Sequence, residues 1–239
     1  MRRLHVQGRR TGMRRMVVGV LAAVLLGFSA TGPALAASSP PAPTRHNISG
    51  SSHLPMPPQG EWYTATTTLT SNCTLVASQA VLTPDGPTSL AGDAQSSRAS
   101  IVAGAASGSG DPEATSYYRL WDPANLLLNA TYDTLNWSTS GGDISGATTS
   151  RDSIWADDGW IESGYGGGFT GGCVGCTSIS SMAENWYLFI PAEIYYNWDA
   201  AYITGDGNGG YSNCYSAWQW ETGFPGWHTQ TWCGWGFSG

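Results

Sequence analysis

From Glu61 onward, apolar and β-branched residues come in short runs that alternate with polar ones or stop at Gly, Pro, Asn and Asp. Runs of this kind read as β-strands bounded by turns. Residues 62–70 form the first and end at Ser71-Asn72; residues 73–76 resume it, and residues 80–82 stop at Pro84-Asp85-Gly86-Pro87. Further runs cover residues 117–121, 126–128 and 130–137, closed by Asp122-Pro123 and by Ser140-Gly141-Gly142-Asp143. Residues 153–157 and 160–162 flank Asp158-Gly159, which predicts a tight type I′ hairpin. Residues 185–190 and 193–198 are separated by Pro191, residues 206–210 are a turn, and residues 216–221 alternate with period two. Between Ala91 and Ala114 the chain is mainly Ala, Gly, Ser and Asp and reads as loop, with one short strand at 100–103. Helical periodicity is confined to one turn at most, within 182–188, and no repeat of fixed period is present. The pattern predicts an all-β fold, an antiparallel β-sandwich or jelly-roll.

The start of the chain follows a different rule. Six arginines precede an apolar run from Met16 to Phe28, followed by Gly32-Pro33 and Ala34-Leu35-Ala36. This is the layout of a signal peptide, residues 1–36, whose apolar run is too short to span a bilayer. Arg14-Arg15 also fits a twin-arginine signal, although Met13 before the pair favours a plain basic leader. Residues 37–60 hold six prolines among serines and small residues and read as a linker, with one domain expected over 61–239. Removal of the leader changes the charge. Only four arginines and no lysine remain against 17 acids, so the mature chain carries −13 rather than −7. That balance excludes nucleic acid, whose binding requires cationic neutralisation of phosphates, and disfavours anionic membrane surfaces. On charge, a neutral polysaccharide or other cell-surface polymer, cationic ligands or metal ions remain as partners, the polymer being the leading expectation; no cofactor is implied, the mature chain has no membrane span, and the oligomeric state is open.

Export would place the five cysteines where disulfides persist. Four of them, Cys173, Cys176, Cys214 and Cys233, lie in the last 67 residues. Because long loops gain most from cross-linking, the expected bonds join Cys173 and Cys176 to Cys214 and Cys233. Cys73 is left over. The glycine-rich segment 164–175 has few side chains to pack, so a cross-linked cap is expected there. Cys173-x-x-Cys176 lacks the helix and βαβ setting of a redox motif, and Cys214 and Cys233 lack zinc-ligand spacing, so no metal is assigned.

Ten of the 12 tryptophans lie from Trp137 onward. Flat rings beside Asn, Gln, Asp and Glu suit sugars, whose C–H faces stack on aromatics while hydroxyls take hydrogen bonds. The expected ligand-binding rings are Trp218, Trp220, Trp227, Trp232 and Trp235. Glycosidic hydrolysis requires two opposed carboxylates. The acids with aromatic neighbours are Asp157, Asp158, Glu162, Glu184, Glu193, Asp199 and Glu221; Glu221, placed after Trp218-Gln219-Trp220, leads, with Asp158 and Glu184. A carboxyl among indoles is desolvated and gains the raised pKa of a general acid. His228 has no Gly-x-Ser-x-Gly partner, and residues 206–217 lack the terminal acid of an EF-type calcium loop. The segment Asn185-Trp186-Tyr187-Leu188-Phe189-Ile190-Pro191 resembles a strand of the secreted glutamic peptidases, which are also acidic β-sandwiches. The resemblance covers under a tenth of the chain, and no motif here matches that family's catalytic glutamine and glutamate. The leading expectation is a secreted carbohydrate-binding or cell-surface recognition module. The alternatives are a secreted glycosidase-like or carboxylate-peptidase hydrolase with an acid pair, and a structural envelope or interaction protein.

Overall fold

The computed structural model describes residues 47–86, 94–104, 110–156, 159–191 and 195–237. The expected leader and Asp158 lie outside these residues. The described chain is all β, in two antiparallel sheets. One has five strands, in spatial order β1 (Ile48–His53), β12 (Tyr211–Trp220), β11 (Tyr195–Asp206), β10 (Ser178–Phe189) and β9 (Trp160–Gly172). The other has eight: β3 (Leu75–Ala77), β2 (Trp62–Leu69), β13 (His228–Phe237), β6 (Pro112–Trp121), β7 (Leu127–Ser140), β8 (Asp143–Ala156) and β5 (Ala94–Gly104), with β4 (Val81–Thr83) also paired to β2. Among the described residues no helix is long and apolar enough to cross a membrane.

The sheets pack face to face through alternate residues of their strands, as a sandwich requires. Two apolar clusters fill the interface. One gathers Leu135, Trp137, Ile144, Ile179, Ile203 and the Cys214–Cys233 bond. The other gathers Leu69, Tyr118, Leu120, Trp160, Trp218 and Trp220. Inward-facing polar side chains, among them Thr131, Asp133, Ser181, Asn185 and Asp199, are buried too. Bulky indoles fit because glycines stand opposite them. A Cβ on Gly50 would lie 2.6 Å from the Trp218 ring, and one on Gly205 would lie 2.7 Å from Trp137. The richness in glycine and the richness in tryptophan are thus one packing solution.

Four local expectations change. Asp158-Gly159 does not connect a hairpin, since β8 pairs with β7 and β5 while β9 pairs with β10, in different sheets. Residues 94–104, expected mostly as loop, pair along their full length with β8. Small residues carry little hydrophobic signal, yet their backbone groups serve a ladder as well as any others. The glycine run of β9 is likewise held by its ladder to β10 and needs no cross-linked cap. Residues 48–53, inside the expected linker, form the edge strand β1, paired with β12.

The disulfides are Cys173–Cys176 and Cys214–Cys233, with Cys73 free and exposed. The four cysteines are those expected, but the pairing is not. Cys173 and Cys176 bracket one turn, with a backbone bond from Cys176 N to Cys173 O (3.1 Å) and Cα atoms 5.1 Å apart, so they reach each other first. Cys214 and Cys233 face inward from opposite sheets, Cα atoms 6.2 Å apart. Replacing Cys214 and Cys233 by alanine is expected to cost about 3 kcal/mol from chain entropy, plus the packing of two buried sulfurs. The same change at Cys173 and Cys176 costs about 2 kcal/mol. Thermal unfolding of the two double variants checks this, and the reverse order would sink it.

Candidate functional site

The Cys214–Cys233 bond sets which face of β12 is which. With Cys214 inward, alternation carries Ser216, Trp218 and Trp220 into the core and turns Tyr215, Ala217 and Gln219 outward. Register then defines rows across the outer face of the five-stranded sheet. His53, Tyr215, Tyr202 and Met182 form one row, on β1, β12, β11 and β10. The imidazole stacks on Tyr215 at 4.7 Å, and Tyr215 on Tyr202 at 4.2 Å with planes only 7° apart. Because these faces are paired, the row offers solvent its ring edges. Burial, then neighbouring Tyr215 and Glu184, push the Tyr202 phenol up to about 12, so it remains a hydrogen-bond donor at neutral pH.

A second row, Trp186 and Trp198, lies four residues along the strands, about 13 Å away. Trp186 packs over Gly164, where a Cβ would stand 3.6 Å from the indole. Trp198 Nε1 donates to Glu184 Oε2 at 3.1 Å. Glu184 stands between the rows, in register with Ala200 and Ala217. Trp186, Trp198, Tyr202, Tyr215 and Glu184 are all partly exposed, and His53 is exposed. Of the expected acids, Glu184 is the one this face brings among aromatic rings. Glu221 follows β12 and lies four residues beyond Ala217, about 13 Å further on.

The five expected binding rings lie elsewhere. Trp218 and Trp220 are 1 % and 0 % exposed, in the core. Trp220 Nε1 donates to Tyr118 Oη at 3.0 Å. Trp227 is buried against Trp160, Trp220 and Phe224. Trp232 faces out from the eight-stranded sheet but is covered, with the Arg119 guanidinium 5.1 Å from its ring. Trp235 is partly buried, and its Nε1 donates to Pro57 O at 2.9 Å. They form no open platform. The signal that separates exposed rings from buried ones here is parity: one inward cysteine on β12 assigns every residue of that strand, and register carries the assignment to its neighbours.

Between the sheets, Glu162 and Asp199, both among the acids with aromatic neighbours in the sequence, are linked by hydrogen bonds, and a third acid, Asp133, which the sequence did not single out, is buried near them. Asp133 accepts from Thr149 Oγ1 (2.9 Å) and Ser181 Oγ (2.6 Å), and burial raises its pKa to about 7 against those bonds. Glu162 accepts from Ser153 Oγ at 2.7 Å. The Asn185 amide satisfies both its ends when its nitrogen faces Glu162 Oε1 (2.8 Å) and its oxygen accepts from Thr131 Oγ1 (2.6 Å). The opposite orientation sets the amide oxygen against a carboxylate oxygen. Thr131 has one hydrogen, which Asn185 takes, so the short contact between Thr131 Oγ1 and Asp199 Oδ1 requires the proton to sit on Asp199. Burial chiefly, helped by the charge of Glu162, raises the Asp199 pKa well above the usual range, in keeping with a protonated Asp199. Asp199 and Glu162 are thus joined through a hydroxyl and an amide. A general acid must touch its substrate, however, and Asp199 is 1 % exposed.

Among the described residues no three His, Cys, Asp or Glu side chains gather to hold a metal ion. Comparison with protein-family models, with curated proteins and with solved structures finds no match to this chain.

Proposed function

We propose that this chain is a secreted recognition module that binds a neutral polysaccharide across the outer face of its five-stranded sheet. The observation that carries this reading is the grouping there of Trp186, Trp198, Tyr202, Tyr215 and His53 around Glu184. Sugars need two kinds of contact, and both are at hand: indoles to stack on, and phenol, imidazole and carboxylate groups to bond hydroxyls. Export is supported by the layout of residues 1–36, and the two disulfides are in keeping with it. The −13 charge of the mature chain favours an uncharged polymer over a polyanion.

Incubation with insoluble cellulose, chitin and peptidoglycan tests the proposal. The protein is expected to leave the supernatant with at least one polymer and to release no soluble sugar. Trp198→Ala is expected to weaken binding about fivefold, the equivalent of about 1 kcal/mol for one aromatic contact, with little change in Tm. Release of sugar would replace the binding module by a hydrolase. Absence of binding to all three polymers would end the glycan reading.

A further inference from the structure

Apart from the outer face, the structure contains a cavity of about 140 Å³ between β8 and β9. Thr149 and Arg151 line it from β8, Tyr165 and the glycines 166–168 from β9, and Met182 completes it. Its walls are mostly apolar. A Cβ on Gly167 would lie 2.2 Å from Met182 O, and Gly167 and Gly168 hold φ of 121° and 123°, which other residues rarely adopt, so the backbone lining the cavity requires glycine here.

Arg151 is the unusual member. It is 9 % exposed, with its guanidinium carbon 3.5 Å from the centroid of the Tyr165 ring. Tyr165 itself is 64 % exposed and forms the outer rim. Arg151 Nε is buried with no hydrogen-bond partner. The inward residue directly across from it on β7 is Asp133, yet both oxygens of Asp133 are engaged by Thr149 and Ser181. Asn185 comes within 3.4 Å of Nη1 only in the orientation that opposes its oxygen to Glu162. A buried cation with an open donor is costly and is retained where something else completes it.

We infer that this cavity is a binding site for a small monocarboxylate with a compact apolar body, its carboxylate on Arg151 and its body against Tyr165 and Met182. The guanidinium fork suits a carboxylate, whose two oxygens take paired N–H donors. A cavity of roughly 150 Å³ holds a benzene ring, which sets the size of the body at about six carbons. A single cation in so acidic a chain balances one negative charge, not the two of a phosphate monoester. Free aromatic or aliphatic acids and the C-terminal residue of a peptide share this chemistry. The inference stands apart from the glycan reading, since Arg151 and Tyr165, which carry it, lie outside the aromatic rows of the outer face, with which it shares only Met182.

Calorimetric titration of the purified, disulfide-intact protein with benzoate and with its neutral isostere benzamide tests it. Benzoate is expected to bind at least tenfold more tightly than benzamide. Arg151→Gln should lose that tenfold preference, and Tyr165→Ala, at an exposed position, should lose several-fold in benzoate affinity. Equal binding of benzoate and benzamide, or full benzoate affinity in the folded Tyr165→Ala and Arg151→Gln variants, would overturn the proposal. An acetylated dipeptide ending in leucine separates the sources: tighter binding than benzoate identifies a peptide terminus, and weaker binding a free acid. If none of the three compounds binds, the site is not a carboxylate site. Trp198→Ala is expected to leave all these titrations unchanged, so failure here and failure of the glycan reading can be told apart.

Discussion

The domain is expected to lose stability as pH rises from 4 to 8, by about 4 kcal/mol through Asp133 alone. Asp133 is fully buried, and its carboxyl is raised from 3.8 to about 7 by burial, with the Ser181 and Thr149 bonds pulling the other way. Between those two values the folded chain holds a proton that the unfolded chain has released. Stability therefore declines with pH throughout that window. The contribution is complete below about 3.8, where both states are protonated, and is gone once pH passes about 7. Asp199 acts in the same direction, because burial and Glu162 raise its pKa as well. Asp133→Asn keeps an acceptor for Thr149 and a polar partner for Ser181 while removing the titration. That variant should show a flatter profile and exceed the parent in stability at pH 8. Urea unfolding at pH 4, 6 and 8 measures both chains. A parent whose stability is flat or rising over this range, or an Asn variant with the parent's slope, would show that Asp133 is ionised in the fold.

Trp220→Ala is expected to destabilise the domain by about 4 kcal/mol and lower Tm by roughly 10 °C. The indole is fully buried, donates to Tyr118 Oη at 3.0 Å, and meets Trp227 edge-on at 5.8 Å. Truncation removes that packing and leaves the buried phenol of Tyr118 without its donor. Below its Tm, the variant should still bind polysaccharide as the parent does. This is the mirror image of Trp198→Ala, in which binding falls and Tm holds. Calorimetry and polymer depletion on both variants decide between them. A Trp220 variant with unchanged Tm and lost binding would return that ring to the ligand site.

Much of the sheet was legible from local pattern. The strand over residues 62–69 and the alternation from Ser216 to Trp220 stand where the residues implied, and so does the Asp206–Gly210 turn, in which Gly209 N donates to Asp206 O at 3.0 Å. Strands built of small residues were not legible. β5 and the glycine run of β9 are held by backbone ladders to β8 and β10, and a backbone bond leaves no mark on side-chain pattern. Trp218 and Trp220 were expected at the surface and are buried, for a related reason. Trp218 and Trp220 sit in a conspicuously aromatic stretch, but conspicuousness carries no direction, whereas Tyr202 and Tyr215 are separated in sequence and meet only through register.

What the sequence by itself determined is that this chain forms short antiparallel strands with two unlike faces, turning at Gly, Pro and Asp, and that four of its five cysteines belong to bonds. Those properties rest on contacts between residues close in the chain. Which sheet each strand joins, which cysteine meets which, and which parity of β12 points inward were decided only by the tertiary structure. Alternation specifies that a strand has two faces and is silent on which is buried, because burial is conferred by the opposite sheet, whose residues can lie 100 or more positions away, as Tyr118 does from Trp220.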